Sequence, residues 1–318
     1  MRRSVTAFDI ALRPPDLTPW SGSDCGVRGF MRLDSGRPGP NAVIVSLIHG
    51  NEVAGAIVLD RLLRDGYRPA RGCLTLGFAN IAACARFDPA EPTASRFIDE
   101  DLNRVWDPGV LDGPRRSREL DRAREMRPII EGADALLDLH SMLWPSDPLI
   151  LCGATLKGRR LAAGIGVPDL VVSDRGHAAG PRLIDYAPFA DPEHPAAACL
   201  VEAGQHWAEE TVATTERCVG AFLRLLGMED DARPRSGPAN GLRLAEVTVA
   251  VTAATSGFAF LQPFRGGDVV PRRNTVIAID GEAEIRTPHD DCLLVMPSLR
   301  PVRGHTAVRL ARFVEPEP

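Results

Sequence analysis

The stretch Asn41-Ala-Val-Ile-Val-Ser-Leu-Ile-His49-Gly50-Asn51-Glu52 decides how the rest of the chain is read. Val43 to Ile48 is an uninterrupted apolar run of strand length, and it stops at a histidine. Gly50 allows the backbone to turn, and Glu52 stands at the head of a segment with helical apolar spacing (Val53, Ile57, Leu59, Leu62, Leu63). A His-x-x-Glu placed where a strand turns into a helix aims an imidazole and a carboxylate at one point. That supplies two of the three protein ligands of a catalytic zinc, which keeps one coordination position for water. The plainer alternative is a polar loop closing a buried strand, and two ligands do not decide between them.

Outward from this stretch, the chain of 318 residues is long enough for a large domain with an appendage. With 25% charged and 44% hydrophobic residues it has the composition of a globular, soluble protein. A net charge of -5 argues against a nucleic-acid footprint. Lys157 is the only lysine, so positive charge is carried by arginine, which suits planar carboxylate binding but equally reflects codon usage. Seven cysteines (Cys25, Cys73, Cys84, Cys152, Cys199, Cys218, Cys292) show no C-x-x-C spacing. That points to a reducing compartment and a cytoplasmic location. Asp9, Arg13 and Pro14-Pro15 interrupt any apolar signal core, and no run is apolar enough to span a membrane.

Residues 1–40 are rich in Gly, Pro and Ser and are expected to wrap the domain as irregular chain with one short strand. Strands are then expected at 43–48, 73–78, 135–140, 149–152, 170–173 and 198–202, with helices over 53–64, 115–131 and 207–226. Pro128 is expected to end or kink the second helix early. Residues 81–110 read mostly as loop. The alternation means an α/β sheet with helices on both faces, whose ligands gather at the carboxyl ends of strands. Asp230 to Gly241 reads as a linker. Beyond it, β-type runs at 244–252, 276–279 and 293–296, separated by turn pairs such as Gly266-Gly267 and Asp280-Gly281, predict a small all-β unit. The division expected is 1–235 for a catalytic domain and 242–318 for an all-β cover.

Polar residues cluster at the predicted strand ends: His49 and Glu52, then His140, then Glu202. Asp138, two residues before His140, shares its side of the strand and can orient the imidazole or pair with an arginine. Glu202, before Ala203-Gly204, reads as a capping or ion-paired carboxylate or as a general base. The loop Ser95-Arg96-Phe97-Ile98-Asp99-Glu100-Asp101-Leu102-Asn103-Arg104 reads as a solvated charge run or, in a pocket, as an anion-binding set. In the second case Arg104 forks onto a carboxylate beside Asn103, and Arg96 faces a developing oxyanion. His177 and His206 are read as peripheral.

Four segments, His49-Gly50-Asn51-Glu52, Arg96-Phe97-Ile98-Asp99-x-Asp101-Leu102-Asn103-Arg104, Asp138-Leu139-His140 and Val201-Glu202-Ala203-Gly204, occur in order over 43–205. Together they resemble the succinylglutamate desuccinylase/aspartoacylase family, which has a zinc carboxypeptidase-like core, and the all-β tail resembles that family's C-terminal domain. The resemblance implies a mixed sheet flanked by helices, and one zinc per chain held by His49, Glu52 and His140. It implies Glu202 as the group that moves the proton, Arg96 polarising the scissile carbonyl, and Asn103 and Arg104 gripping an α-carboxylate. The implied substrate is a small N-acyl amino acid.

The chain departs from the family pattern in two places. No arginine before Glu202 matches the one that grips an acidic side chain; Arg182 in Gly180-Pro-Arg-Leu-Ile-Asp185 is the candidate, against a surface ion pair. The family's C-terminal tyrosine has no counterpart, because Tyr67 and Tyr186 both precede the linker. An acidic substrate is therefore in question. The tail's turns are also similar to biotinyl/lipoyl barrels, but it contains no lysine to carry a cofactor, so a cover over the site is expected. A carboxypeptidase-type enzyme for short peptides and a non-enzymatic binding protein remain as alternatives. Oligomeric state is left open, including a homo-oligomer.

Overall fold

The computed structural model describes residues 8–229 and 241–315. The expected linker, Asp230 to Gly241, lies outside the described residues except for Gly241. In chain order the elements are β1(Phe30–Asp34), β2(Asn41–Ser46), α1(Val53–Arg64), β3(Cys73–Phe78), α2(Ile81–Cys84), α3(Pro108–Asp112), α4(Arg118–Glu131), β4(Ala135–Met142), β5(Leu149–Cys152), α5(Leu156–Ile165), β6(Leu170–Ser173), α6(Ala187–Ala190), β7(Ala197–Gln205) and α7(Glu209–Leu225). The tail continues as β8(Arg243–Thr252), β9(Ala259–Phe260), β10(Val269–Val270), β11(Val276–Asp280), β12(Ala283–Arg286), β13(Cys292–Val295) and β14(Thr306–Val314).

Eleven strands form one mixed sheet in the order β1-β3-β2-β4-β7-β5-β6-β8-β14-β13-β10. At its centre β2, β4 and β7 run parallel, with Val45 opposite Asp138 and His140 opposite Glu202. These strands are near-continuous apolar runs because both faces are covered. Ile44 packs into the core shared with α1, α5 and α7, while Val43 and Val45 face the core built with α4. Each side chain fully buried there contributes roughly 1.5–3 kcal/mol. The parallel strands share one direction, so the chain leaves β2, β4 and β7 at the same edge, where the polar residues collect.

Two local expectations change. Residues 156–165 form α5, which its glycines and charged residues dilute below recognition in the sequence. Thr155 Oγ1 accepts from Gly158 N at its start, and Gly166 ends it at φ 62°. Pro128 does not end α4, because it lies in the last turn, and Gly132 N still donates to Pro128 O beyond it.

The tail is all-β, with no helix among the described residues after α7, yet it does not hang free. β8 pairs with β6 in parallel, so the tail's first strand lengthens the core sheet, and β14 and β13 follow antiparallel. Its own apolar core gathers Val251, Phe258, Phe264, Ile277 and Leu294. No helix among the described residues is long and apolar enough to cross a membrane.

Candidate active site

After β2 the chain takes a tight path to reach its ligand positions. Leu47, fully buried, adopts φ 58°, a left-handed conformation that a branched side chain takes at a cost. His49 follows, and Glu52 N closes the turn onto His49 O at 3.1 Å. Gly50 serves a purpose different from the one read in the sequence. Its backbone is not left-handed; a Cβ there would lie 2.5 Å from Ser95 O and 2.5 Å from Cys84 N. The glycine lets the 95–104 loop pack onto the turn, and Gly50 N donates to Arg96 O at 3.0 Å. Glu52 holds the N-cap position of α1 but caps nothing; its carboxylate turns toward the imidazoles instead.

His49, Glu52 and His140 are all buried, and one ligand atom from each falls within 4.8 Å of the others. His49 Nδ1 lies 2.7 Å from Glu52 Oε1, and His140 Nδ1 lies 3.0 Å from Glu52 Oε2. The opposite nitrogens face carboxylates: His49 Nε2 is 2.9 Å from Asp101 Oδ1, and His140 Nε2 is 2.9 Å from Asp138 Oδ2. With a divalent metal ion in place of the Nδ1 protons, the carboxylates at both Nε2 positions would hold the tautomer that leaves each Nδ1 lone pair free, and two nitrogens and a carboxylate would form a donor set suited to it. Arg96 Nη2 also sits 2.8 Å from His49 Nε2 and 3.1 Å from Asp101 Oδ2. Burial alone raises the Glu52 pKa; whenever His49 and His140 carry a second proton, their charges and hydrogen bonds hold it well below the usual carboxylate range.

Glu202 enters from β7 as the register partner of His140. Side chains of paired positions on adjacent strands point the same way, about 5 Å apart. Burial pushes its carboxyl up to about 8, and its Oε2 has no hydrogen-bond partner. It is a buried carboxyl group with one unsatisfied oxygen, set beside His140.

The loop carrying Arg96, Asn103 and Arg104 is anchored from below by Glu119 in the first turn of α4. Its carboxylate accepts from Ile98 N at 2.7 Å, Asp99 N at 3.0 Å and Asn80 Nδ2 at 3.0 Å. Asn103 Oδ1 accepts from Leu183 N at 2.7 Å, and its amide nitrogen is 3.4 Å from His140 Nε2. Arg104 contacts Asn103 O at 2.5 Å and Asp101 at 4.0 Å; burial, with Arg96, Arg182 and Arg309 nearby, lowers its pKa to about 10. An anion beside it would offset that repulsion.

His49, Glu52, Arg96, Asp101, Asn103, Arg104, His140 and Glu202 line one cavity of about 810 Å³, together with residues that the sequence did not single out. The tail contributes Met296, Arg300, Val302, Thr306 and Arg309 to its wall. Arg309 Nε donates to Asp174 Oδ2 at 2.8 Å, and the same oxygen accepts from Arg182 Nη1 at 3.1 Å, so one carboxylate bridges core and tail. Arg182 is not on the surface. It is buried, lines the cavity, and directs N–H groups to Asp185 and Asp174. His177 and His206 are not peripheral: both line the cavity, brought there by loops whose packing has no sequence signature. His206 Nδ1 lies 2.8 Å from Ser141 Oγ, and burial lowers its pKa to about 4. Asp101, Glu119 and Arg309 were missed as site residues, and only Asp101, inside the quoted loop motif, carried any local signal.

The profile of the succinylglutamate desuccinylase/aspartoacylase catalytic domain matches residues 38–226, more than half of the chain. The chain belongs to this family. Among solved structures, succinylglutamate desuccinylase from Vibrio cholerae aligns at TM-score 0.68 and 20% identity, covering 90% of this chain and 85% of its own. The Vibrio parahaemolyticus desuccinylase aligns at 0.66 and 16%, covering 91% and 87%. A product-bound ectoine utilization protein from Ruegeria pomeroyi aligns at 0.61 and 16%, covering 87% and 86%. At such identities the likeness establishes the shared fold. No curated protein matches the chain. The matched segment holds His49, Glu52, His140, Glu202 and the 95–104 loop, while Phe8, Arg309 and the other tail residues that line the cavity lie outside it.

Proposed function

We propose that this chain is a zinc-dependent amidohydrolase that cleaves a small N-acyl amino acid into a carboxylic acid and a free amino acid. The observation that carries the reading is the convergence of His49 Nδ1, His140 Nδ1 and the Glu52 carboxylate beside the unpaired Glu202 oxygen, inside a cavity lined by arginines. When bound by His49, Glu52 and His140, zinc would supply a Lewis acid that acidifies an attacking water and polarises a carbonyl.

The chain's own groups do the rest. Glu202 takes the proton that the attacking water loses and returns it to the amide nitrogen as the C–N bond breaks, so the leaving amine departs neutral. Arg96 presents N–H groups to the carbonyl oxygen as it becomes anionic. Asn103 and Arg104 bind the α-carboxylate, supported by Arg104's shortage of close acidic partners. Arg182, held by Asp174 and Asp185, keeps the cationic wall in place. The tail narrows the cavity mouth, which favours small substrates over the peptides of a carboxypeptidase.

A screen of zinc-loaded protein against N-acetyl-, N-formyl- and N-succinyl-amino acids and a panel of di- to pentapeptides, read by release of primary amine, tests this. Release from acyl amino acids is expected. Cleavage of peptides alone would make the enzyme a peptidase, and no release from any substrate would remove the enzymatic reading.

A further inference from the structure

The cavity is lined by two chemically different groups of residues, each joined to the ligand cluster: Asn103 Nδ2 is 3.4 Å from His140 Nε2, and Ser141 N donates to Glu52 Oε2 at 3.0 Å. In one group His177 is within the electrostatic reach of Arg104, Arg309 and Arg182, and its Nε2 is 3.5 Å from Thr306 Oγ1 in the tail. In the other, His206 Nδ1 lies 2.8 Å from the Oγ of Ser141, the residue whose backbone N–H reaches Glu52. His206 packs edge-on to Trp207, with ring centroids 5.2 Å apart. Phe8 packs on Trp207 at 5.2 Å and on Trp144 at 5.7 Å, joining the three rings into one aromatic group. Phe8, Phe97, Leu143 and Trp144 line the cavity. Trp207 donates to Asn51 O at 3.2 Å, which ties this aromatic group to the His49–Glu52 turn.

An amide substrate is itself two-ended. If its α-carboxylate lies on Arg104 and Asn103 and its carbonyl on Arg96, the acyl chain leaves the carbonyl in the other direction, away from Arg104, Arg182 and Arg309. We infer that the acyl group is apolar and larger than acetyl, an aliphatic chain of about six carbons or an aryl ring, seated against Phe8, Phe97 and Trp144. This rests on the proposed amide hydrolysis and adds the substrate class to it. An anionic acyl group such as succinyl would set its distal carboxylate against aromatic faces and lose hydration without gaining a partner. Phe97, in the lining of the same cavity, is 38% exposed, an apolar surface for which an acyl chain provides cover. Rings bury large areas at little entropic cost, so they discriminate strongly by apolar size.

The test holds one amino acid constant, the best amine in the acetyl series, and varies the acyl group among acetyl, succinyl, hexanoyl and benzoyl, using the zinc-loaded full chain. Expected kcat/KM is about 10-fold or more higher for hexanoyl or benzoyl than for acetyl, with succinyl below acetyl. Trp144→Ala and Phe97→Ala should each lower the hexanoyl-to-acetyl ratio several-fold. Phe97 is exposed enough that its truncation leaves folding intact, which keeps the test sound if Trp144→Ala is unstable. A succinyl substrate equal to or better than hexanoyl, its carboxylate docked on a group such as Arg300, overturns the inference and leaves amide hydrolysis standing. A ratio unmoved by both variants overturns it as well. No cleavage of any acyl amino acid overturns both readings.

Discussion

His140 and Glu202 are register partners on the parallel strands β4 and β7, so an imidazole and a carboxylate are set side by side by backbone hydrogen bonding alone. Sixty-two residues separate them in sequence. Glu202→Gln preserves shape but cannot accept a proton. The variant should retain about one zinc per chain and lower kcat by about 10²–10⁴-fold. Zinc content by atomic emission and steady-state kinetics check this; loss of the metal would make Glu202 a ligand, and near-normal turnover would make it structural.

His49→Ala leaves Glu52 and His140 as the only protein ligands. Mild chelation should strip zinc from this variant while wild type keeps it, with the circular dichroism of the α/β core unchanged. A variant that still holds near one zinc per chain would mean that the donor set is wrong.

Arg96 and Arg104 share a loop but should fail differently. Arg104 is assigned to a carboxylate that is equally charged before and during reaction, so Arg104→Ala should act mainly on KM. Arg96 is assigned to an oxygen that becomes anionic during attack, so Arg96→Ala should lower kcat by about 10²–10³-fold. Lysine should restore neither fully, because it lacks the planar fork. Identical kinetic signatures for the two alanine variants would dissolve the division of labour.

Glu119 touches no substrate in this scheme, yet it accepts from three successive backbone amides of the loop, Ile98, Asp99 and Glu100. Glu119→Ala should lower kcat through Arg96 and raise KM through Arg104 together, as expected of a positioning residue. Glu119→Gln keeps one acceptor oxygen and should recover part of both. Faster amide hydrogen exchange at 98–100 in the alanine variant would report the loosened loop directly.

His177 supplies a pH prediction. Burial, reinforced by Arg104, Arg309 and Arg182, lowers its pKa from 6.5 to about 3. The unfolded chain therefore binds a proton below about 6.5 that the folded chain refuses until about pH 3. This contribution to stability is complete above pH 6.5 and is lost as pH falls through that window. His177→Gln removes the titration, so the denaturant midpoint of the variant should fall less steeply than wild type between pH 6.5 and 4. Parallel curves would place His177 in solvent.

The strand ends were not legible in the chain, since β4 and β7 run on to Met142 and Gln205. The buried strands, the gathering of His49, Glu52, His140 and Glu202 toward their carboxyl ends, and the family resemblance were legible, because apolar runs and short polar motifs are local patterns. The tail's all-β character was legible for the same reason. Its attachment was not: β8 joins β6 edge to edge, and strand pairing between residues 170 and 243 leaves no trace in either segment. The carboxylates behind the imidazoles divided on the same line. Asp138 was readable because it lies two residues from His140 on one strand, whereas Asp101 reaches His49 across 52 residues of chain. His177, His206 and Arg309 enter the cavity by way of loops and a distant strand, and only the tertiary packing decided that they face it. Gly50 shows the limit most plainly. Its presence in the motif was visible, but its reason, the backbone of Ser95 within 2.5 Å of where a Cβ would stand, exists only once the loop has folded onto the turn.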